Sequence, residues 1–208
     1  MYAAGSLSDD QLLDAVRSMS DAQRAAVVRA AVGDRANRRH RPSRAFERTA
    51  YRFDVLCDYG AFRDLQRHRT LTIEWQALSP AHGFELPPDI EAIGAASEWD
   101  AVMTGSADLF DAMEGAGLGE AAQYAVSMAY RIRFVMQMNA RAAMHMIELR
   151  TTPQGHPTYR RVCQQMHRLI RDVAGHEAIA GAMRFVDLSG GEQGRLEAER
   201  RTDARRPA

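Results

Sequence analysis

The longest periodic segment of the sequence, residues 119–150, constrains the fold most because it predicts a single helix of about nine turns. A run of alanines and methionines fills the segment GEAAQYAVSMAYRIRFVMQMNARAAMHMIELR, and Pro153, Gly155 and Pro157 follow it as breakers. A chain of 208 residues is long enough for one substantial domain with its own core. A helix of this length would dominate that domain.

Capping boxes predict two shorter helices within residues 7–33. Ser8 is followed three residues later by Gln11, and Ser20 by Gln23, which is the spacing that satisfies free N–H groups at a helix start. Gly33 should end the second helix.

Two further helices are predicted at residues 89–115, where Gly105 can interrupt the helix, and at residues 158–184, where a division is expected near Gly175. The polar tail, residues 189–208, is expected to be disordered.

Two short strands are predicted on either side of a short helix. Apolar residues alternate over residues 51–57, which is the period of a half-buried strand, and TLTIEW at residues 70–75 is rich in β-branched and aromatic residues. AFRDLQRHR, residues 61–69, fits the helix between them. We therefore expect an α+β fold, dominated by helices, with a small antiparallel sheet.

The charge balance bears on the class of ligand. The 27 basic residues are offset by 27 acidic ones, so a broad electrostatic footprint for nucleic acid is absent. All basic residues are arginines, whose planar groups suit phosphates and carboxylates, although a biased genome composition explains the same count. Two cysteines give no disulfide framework, and there is no signal peptide or apolar run of membrane-spanning length. We expect a soluble, cytoplasmic protein.

The triplet Arg67-His68-Arg69 is the first candidate site. It lies where the predicted short helix meets the second strand, so it is either a solvated helix end or a fixed cradle for an anion.

The second candidate site lies on the long predicted helix. Asn139 and Arg150 would fall on one side of it, and Arg141, His145 and Glu148 on roughly the opposite side. Either the helix faces two sites between subunits, or the second group is a structural ladder of polar side chains.

Other polar residues give weaker signals. The histidines outside these clusters lack the spacing of metal ligands, so no metal site is expected. The basic segment NRRHRPSR, residues 37–44, could contact RNA or phosphate, but a solvated linker is the preferred interpretation.

Three segments together, RAFERTAYRFDV, FRDLQRHR and NARAAMHMIELRTTP, resemble the flavin-dependent thymidylate synthases, the ThyX family. The similarity runs from about residue 44 to residue 170. It implies an α+β fold, a homotetramer and FAD bound between subunits. It also implies that reduced flavin carries a methylene from methylenetetrahydrofolate to dUMP, with NADPH as reductant.

The resemblance also implies roles for individual residues. Arg150 would contact and polarise the pyrimidine. The flavin-binding residues would be Arg67, His68, Arg69, Asn139, Arg141 and His145.

The sequence departs from the family where the family holds the phosphate of dUMP. The family's phosphate-binding serine and arginine after the RHR triplet are missing, since this chain has Ala77, Ser79 and Pro80 in that stretch. A nucleotide-binding arginine of the family corresponds to Gln123, and a glutamine to Asp64. Loss of several charge-assisted contacts, each about 1.5–3 kcal/mol, would weaken dUMP binding by orders of magnitude.

The sequence therefore predicts an FAD-binding ThyX-like protein with a degenerate dUMP site. It would act on an altered substrate or depend on a second ThyX-like domain. The alternatives are a non-catalytic structural module with the same fold and, less favoured, an RNA-binding module. The expected division is an N-terminal extension at residues 1–43, a flavin-binding domain at 44–188 and the tail at 189–208.

Overall fold

A computed structural model describes residues 2, 5–190, 200 and 204. The predicted tail therefore lies almost wholly outside the described residues. No helix of the described ranges is long and apolar enough to cross a membrane.

The two N-terminal helices are confirmed, α1 at Asp9–Ser18 and α2 at Asp21–Val32. Each begins with the predicted capping box; at α1, the Ser8 hydroxyl accepts from the Gln11 amide at 3.3 Å and the Gln11 side chain accepts from the Ser8 amide at 2.9 Å.

The predicted strand–helix–strand unit is also confirmed. It comprises β1 at Ala50–Asp58, α3 at Tyr59–Leu65 and β2 at Thr72–Trp75. Alternate residues of β1 are buried, as its two-residue period requires.

The long helix predicted at residues 119–150 is wrong. The segment instead forms α6 at Gly119–Ala122, a short 3-10 turn, β3 at Arg131–Asn139 and α7 at Ala140–Arg150. β3 is the central strand in the sheet order β1-β3-β2 and pairs antiparallel with β2. Every second residue of β3 is apolar and buried, namely Ile132, Phe134, Met136 and Met138. This burial at the two-residue period of a strand prevails over the helical preference of the Met, Gln and Arg residues in the segment.

Two further predictions concern breaks between helices. The interruption considered at Gly105 does not occur, because Gly105 lies inside α5, at Ala96–Gly115. The chain turns instead between α4, at Pro88–Ala92, and α5. Gly94 in this turn has a φ of +76°, a backbone conformation that residues other than glycine rarely adopt. The division near Gly175 is confirmed, since Gly175 lies between α8 at Pro157–Asp172 and α9 at Glu177–Ala182.

Internal contacts group the chain into two compact units. The first unit comprises Met1–Tyr51, Asn139–Thr152 and Cys163–Ser189, and its buried residues include Met144, Ile147, Met166 and Ile170. The second unit contains Arg52–Met138 and Pro153–Val162, and its buried residues include Phe62, Leu65, Phe134 and Met136. The predicted boundaries at residues 43 and 188 stay a prediction.

Candidate functional site

The Arg67-His68-Arg69 triplet lies in the second unit, in the turn between α3 and β2. The side chains of Arg67 and Arg69 are exposed, and His68 is half-buried. Phe62 of α3 is buried, and its ring packs edge-on against Phe134 at 4.8 Å between centroids. Its carbonyl accepts from the Gln66 amide at 2.9 Å, so the first residue of the turn is tied to a packed helix.

Asp64 partly offsets the charge of this triplet. Its carboxylate lies 3.4 Å from Nε of Arg67, an i,i+3 ion pair between two largely exposed side chains. Such pairs contribute little to stability, but the carboxylate would repel an anion approaching Arg67.

The remaining candidate residues, Asn139, Arg141, His145 and Arg150, lie in the first unit. Asn139 is not part of the helix: its side-chain oxygen caps α7 by accepting from the Ala142 amide at 2.9 Å. The predicted alignment of Asn139 with Arg150 along one helix therefore does not occur. Arg141 and His145 do share one face of α7, four residues apart.

Arg141 contacts the segment that precedes β1. Its Nη1 lies 2.7 Å from Oε1 of Glu47, and its Nε donates to the Pro42 carbonyl at 3.1 Å. A hydrogen bond from Arg44 lowers the pKa of Glu47, and the bond from Arg141 adds to this, although burial acts in the opposite direction. Arg141 therefore holds the backbone at Pro42 against α7.

A buried ion pair between Arg35 and Glu148 was missed by the sequence reasoning. Both side chains are almost wholly buried, with 2% and 0% exposed, and the guanidinium binds the carboxylate through two nitrogens, at 2.8 and 2.5 Å. Arg35 also lies over the ring of Phe185, 5.2 Å from its centroid. The signal that could have found this pair is the single acid within the apolar stretch MHMIEL, since a buried carboxylate needs a cation.

Arg141 and Glu148 form their ion pairs with residues outside α7, and not with each other as the polar ladder would require. The carboxylate that binds Arg141 is that of Glu47, and the cation that binds Glu148 is Arg35.

The positions that depart from the family pattern after the RHR triplet contribute to local structure. Oε1 of Gln123 accepts from the Leu78 amide at 3.0 Å, and the Ser79 hydroxyl accepts from the Ala81 amide at 3.4 Å. Gln123 thus holds the loop in which the resemblance would place a phosphate anchor. Neutral side chains engaged in this way supply no positive charge for a phosphate.

Arg150 is in the last turn of α7, and its charge acts on the thiol of Cys163. Burial raises the pKa of Cys163 to about 12, and the positive charge of Arg150 opposes this only partly. Cys163 is therefore a protonated core residue and not a nucleophile.

Alkaline pH is expected to destabilise the protein through Cys163. An unfolded thiol ionises near pH 8.5, so above about that pH the unfolded state loses a proton that the folded state keeps up to about pH 12. The free energy of unfolding should then fall by about 1.4 kcal/mol per pH unit from this group. Urea denaturation between about pH 8 and 10 measures the slope.

The Cys163→Ala variant isolates the thiol from other groups that ionise at high pH, such as Tyr51, whose pKa burial raises to about 12. The variant should show a shallower slope, whereas the same slope in both proteins would assign the effect to other groups.

Comparison with known proteins gives a family and a fold. The family model described as thymidylate synthase complementing protein matches residues 2–175. The chain is 36% identical over 203 residues to a UPF0159 protein of Chlamydia pneumoniae, covering 97% of this chain and 37% of that protein. It is 36% identical over 198 residues to UPF0159 protein Ta1429 of Thermoplasma acidophilum, covering 93% and 39%.

The chain thus spans little more than a third of the length of these relatives. A solved structure, the UMP/dUMP methylase PolB of Streptomyces cacaoi bound with 5-Br dUMP, is similar with a TM-score of 0.65 and 17% identity. The likeness covers 83% of this chain and 85% of that one, and it shows the fold alone. The predicted helix-rich α+β fold with a small antiparallel sheet is confirmed.

Proposed function

Because the chain belongs to the thymidylate synthase complementing protein family, also called ThyX, we propose that it is an FAD-binding flavoprotein of the thymidylate synthase type. The observation that carries the proposal is the family match over residues 2–175, which includes both the RHR triplet and α7. The predicted resemblance to this family is confirmed. The proposed reaction class is the methylation of dUMP to dTMP.

The chemistry of the candidate side chains supports flavin binding. Arg67 and Arg69 present exposed guanidinium groups, and His145 is accessible on α7. Guanidinium groups of this kind suit the pyrophosphate of a dinucleotide and negative charge on a reduced isoalloxazine ring. A bound reduced flavin would supply the reducing equivalents, and the protein residues would bind and orient it.

We also propose that this chain does not bind dUMP tightly on its own. This proposal is supported by Gln123 and Ser79, whose neutral side chains accept backbone hydrogen bonds in the loop after β2. The loop therefore lacks the cationic phosphate anchor of the family. The relatives are more than twice as long as the chain, which is compatible with a second ThyX-like domain that supplies the missing contacts. A homotetramer is the other arrangement that the family implies.

By the same resemblance, methylenetetrahydrofolate and NADPH are the proposed co-substrates, and Arg150 is the proposed catalytic residue at the pyrimidine. The proposed location is the cytoplasm.

A non-catalytic structural module is the second candidate function. It is favoured by Asn139 and Arg141, whose side chains already form local contacts.

Two measurements on the purified chain test the proposal. Titration with FAD, followed by the visible absorption of bound flavin, should saturate at one flavin per site. A protein that does not take up FAD would favour the structural module. Tritium release from labelled dUMP, with FAD and reductant present, should be weak or absent in this chain alone, and robust release would contradict the proposed loss of the dUMP anchor.

A further inference from the structure

We propose that Met128 is a site of reversible oxidation by peroxides, and that Arg63 binds the sulfoxide that forms there. The site consists of the thioether of Met128, in the segment that leads into β3, and the guanidinium group of Arg63 on α3. Both residues belong to the second unit. The inference does not depend on flavin binding, because it concerns a covalent change of one side chain by a small oxidant.

Met128 is the most exposed methionine in the part of the chain that the structure describes. Its exposed fraction is 52%, whereas Met19 and Met113 are half-buried. A peroxide must reach the sulfur to oxidise it, so Met128 should react first. The other described methionines are at most 3% exposed, and they are Met103, Met136, Met138, Met144, Met146, Met166 and Met183.

A guanidinium group already lies at the sulfur of Met128. Nη1 of Arg63 donates to Sδ of Met128 at 3.3 Å, and Arg63 forms no ion pair within the described ranges. A thioether sulfur is a weak hydrogen-bond acceptor. The oxygen of a sulfoxide carries partial negative charge and accepts much more strongly, and a cationic donor strengthens the bond further. Oxidation therefore converts a weak contact into a strong hydrogen bond.

The backbone at Met128 is attached to α3 close to Arg63. The Gly60 amide, in the first turn of α3, donates to the Met128 carbonyl at 3.0 Å, and Arg63 follows Gly60 by three residues on the same helix. Since this attachment is already present, the new bond costs little conformational entropy. The sulfoxide would add a second connection between α3 and the segment before β3. Oxidation would thus act on the helix that leads into the RHR triplet.

The reaction balances with hydrogen peroxide as the oxidant. The sulfur of Met128 attacks one peroxide oxygen, an S–O bond forms and the O–O bond breaks; the sulfur loses two electrons, and the peroxide is reduced to water. Two thiols of a reductant reverse the change, since they are oxidised to a disulfide while the sulfoxide oxygen leaves as water. Cys57 and Cys163 are buried, so neither thiol of the chain competes for the peroxide.

Met144 is an internal control for the role of exposure. Its sulfur also accepts from a guanidinium group, at 3.1 Å from Nη1 of Arg35, but Met144 is 0% exposed. Met128 and Met144 therefore share the guanidinium contact and differ in access to solvent.

Treatment of the folded chain with hydrogen peroxide, followed by mass spectrometry of its peptides, tests the oxidation site. Met128 should be oxidised at least about tenfold faster than Met144, because a buried thioether reacts only when the structure opens. Methionine sulfoxide reductases with a dithiol should then restore Met128. Oxidation of Met113 or Met144 as fast as that of Met128, or a sulfoxide that the reductases do not remove, would overturn the proposal.

Urea denaturation of the reduced and the oxidised protein tests the role of Arg63. The change in midpoint on oxidation should be more favourable by about 0.2–0.5 M in the unsubstituted protein than in Arg63→Gln, because Arg63 binds the sulfoxide only in the folded state. Arg52→Gln removes an equal, exposed charge from β1 and should behave like the unsubstituted protein. In Met128→Leu, peroxide should leave the midpoint unchanged. The same change in Arg63→Gln as in the unsubstituted protein, or a change that persists in Met128→Leu, would contradict the inference.

Discussion

Replacement of Glu148 by alanine should lower the free energy of unfolding by about 3–5 kcal/mol, because it leaves the guanidinium of Arg35 buried without its counter-charge. Both partners are inaccessible to solvent, and the pair joins the segment before β1 to α7 by two hydrogen bonds. Glu148 also accepts a hydrogen bond from the Phe185 amide at 3.4 Å. Urea denaturation of Glu148→Ala against the unsubstituted protein measures the loss.

Two control variants show whether the loss of stability in Glu148→Ala comes from the unpaired buried charge. Arg35→Met/Glu148→Leu removes both charges and fills similar volume, so it should recover much of the stability lost in Glu148→Ala. Asp54→Asn disrupts the exposed pair between Asp54 and Arg133, at 2.7 Å, and should have a far smaller effect. A Glu148→Ala effect as small as that of Asp54→Asn would mean that Arg35 finds water or another partner.

The parts of the fold that were predictable are those with local signals. The capping boxes at Ser8 and Ser20 predicted α1 and α2, because the residues that satisfy a helix end lie within three positions of one another. β3 could not be predicted in this way. Its alternating residues follow directly on helix-compatible residues, and its state is decided by pairing with β2, about 60 residues earlier in the sequence.

The same distinction applies to the candidate site. The RHR triplet and the polar residues of α7 could be named as candidates because their residue types form compact groups in the sequence. The partner of Glu148 could not, since Arg35 is 113 residues away in a segment that looks like a linker. Basic segments of this kind are usually solvated, and only the tertiary contact shows that one of the arginines is an anchor.

Replacement of Arg69 by glutamine should weaken FAD binding by about 10- to 150-fold, since one charge-assisted contact contributes about 1.5–3 kcal/mol. The prediction rests on the proposed flavin site. Arg69 is exposed at the end of the turn after α3 and is not opposed by an ion pair among the described residues, so its charge is available to a ligand. FAD titration of Arg69→Gln and the unsubstituted protein, at one ionic strength, measures the change.

Two variants of the same segment separate a specific contact from general attraction of an anion. Arg63→Gln removes an equal charge from α3, at a residue whose guanidinium lies against the sulfur of Met128, and should change FAD affinity by less than about threefold. Asp64→Gln removes the carboxylate beside Arg67 and should strengthen FAD binding. Equal losses in Arg63→Gln and Arg69→Gln would show that only the net charge of the segment matters, whereas a loss confined to Arg69→Gln, with a gain in Asp64→Gln, is the pattern that a specific flavin contact requires.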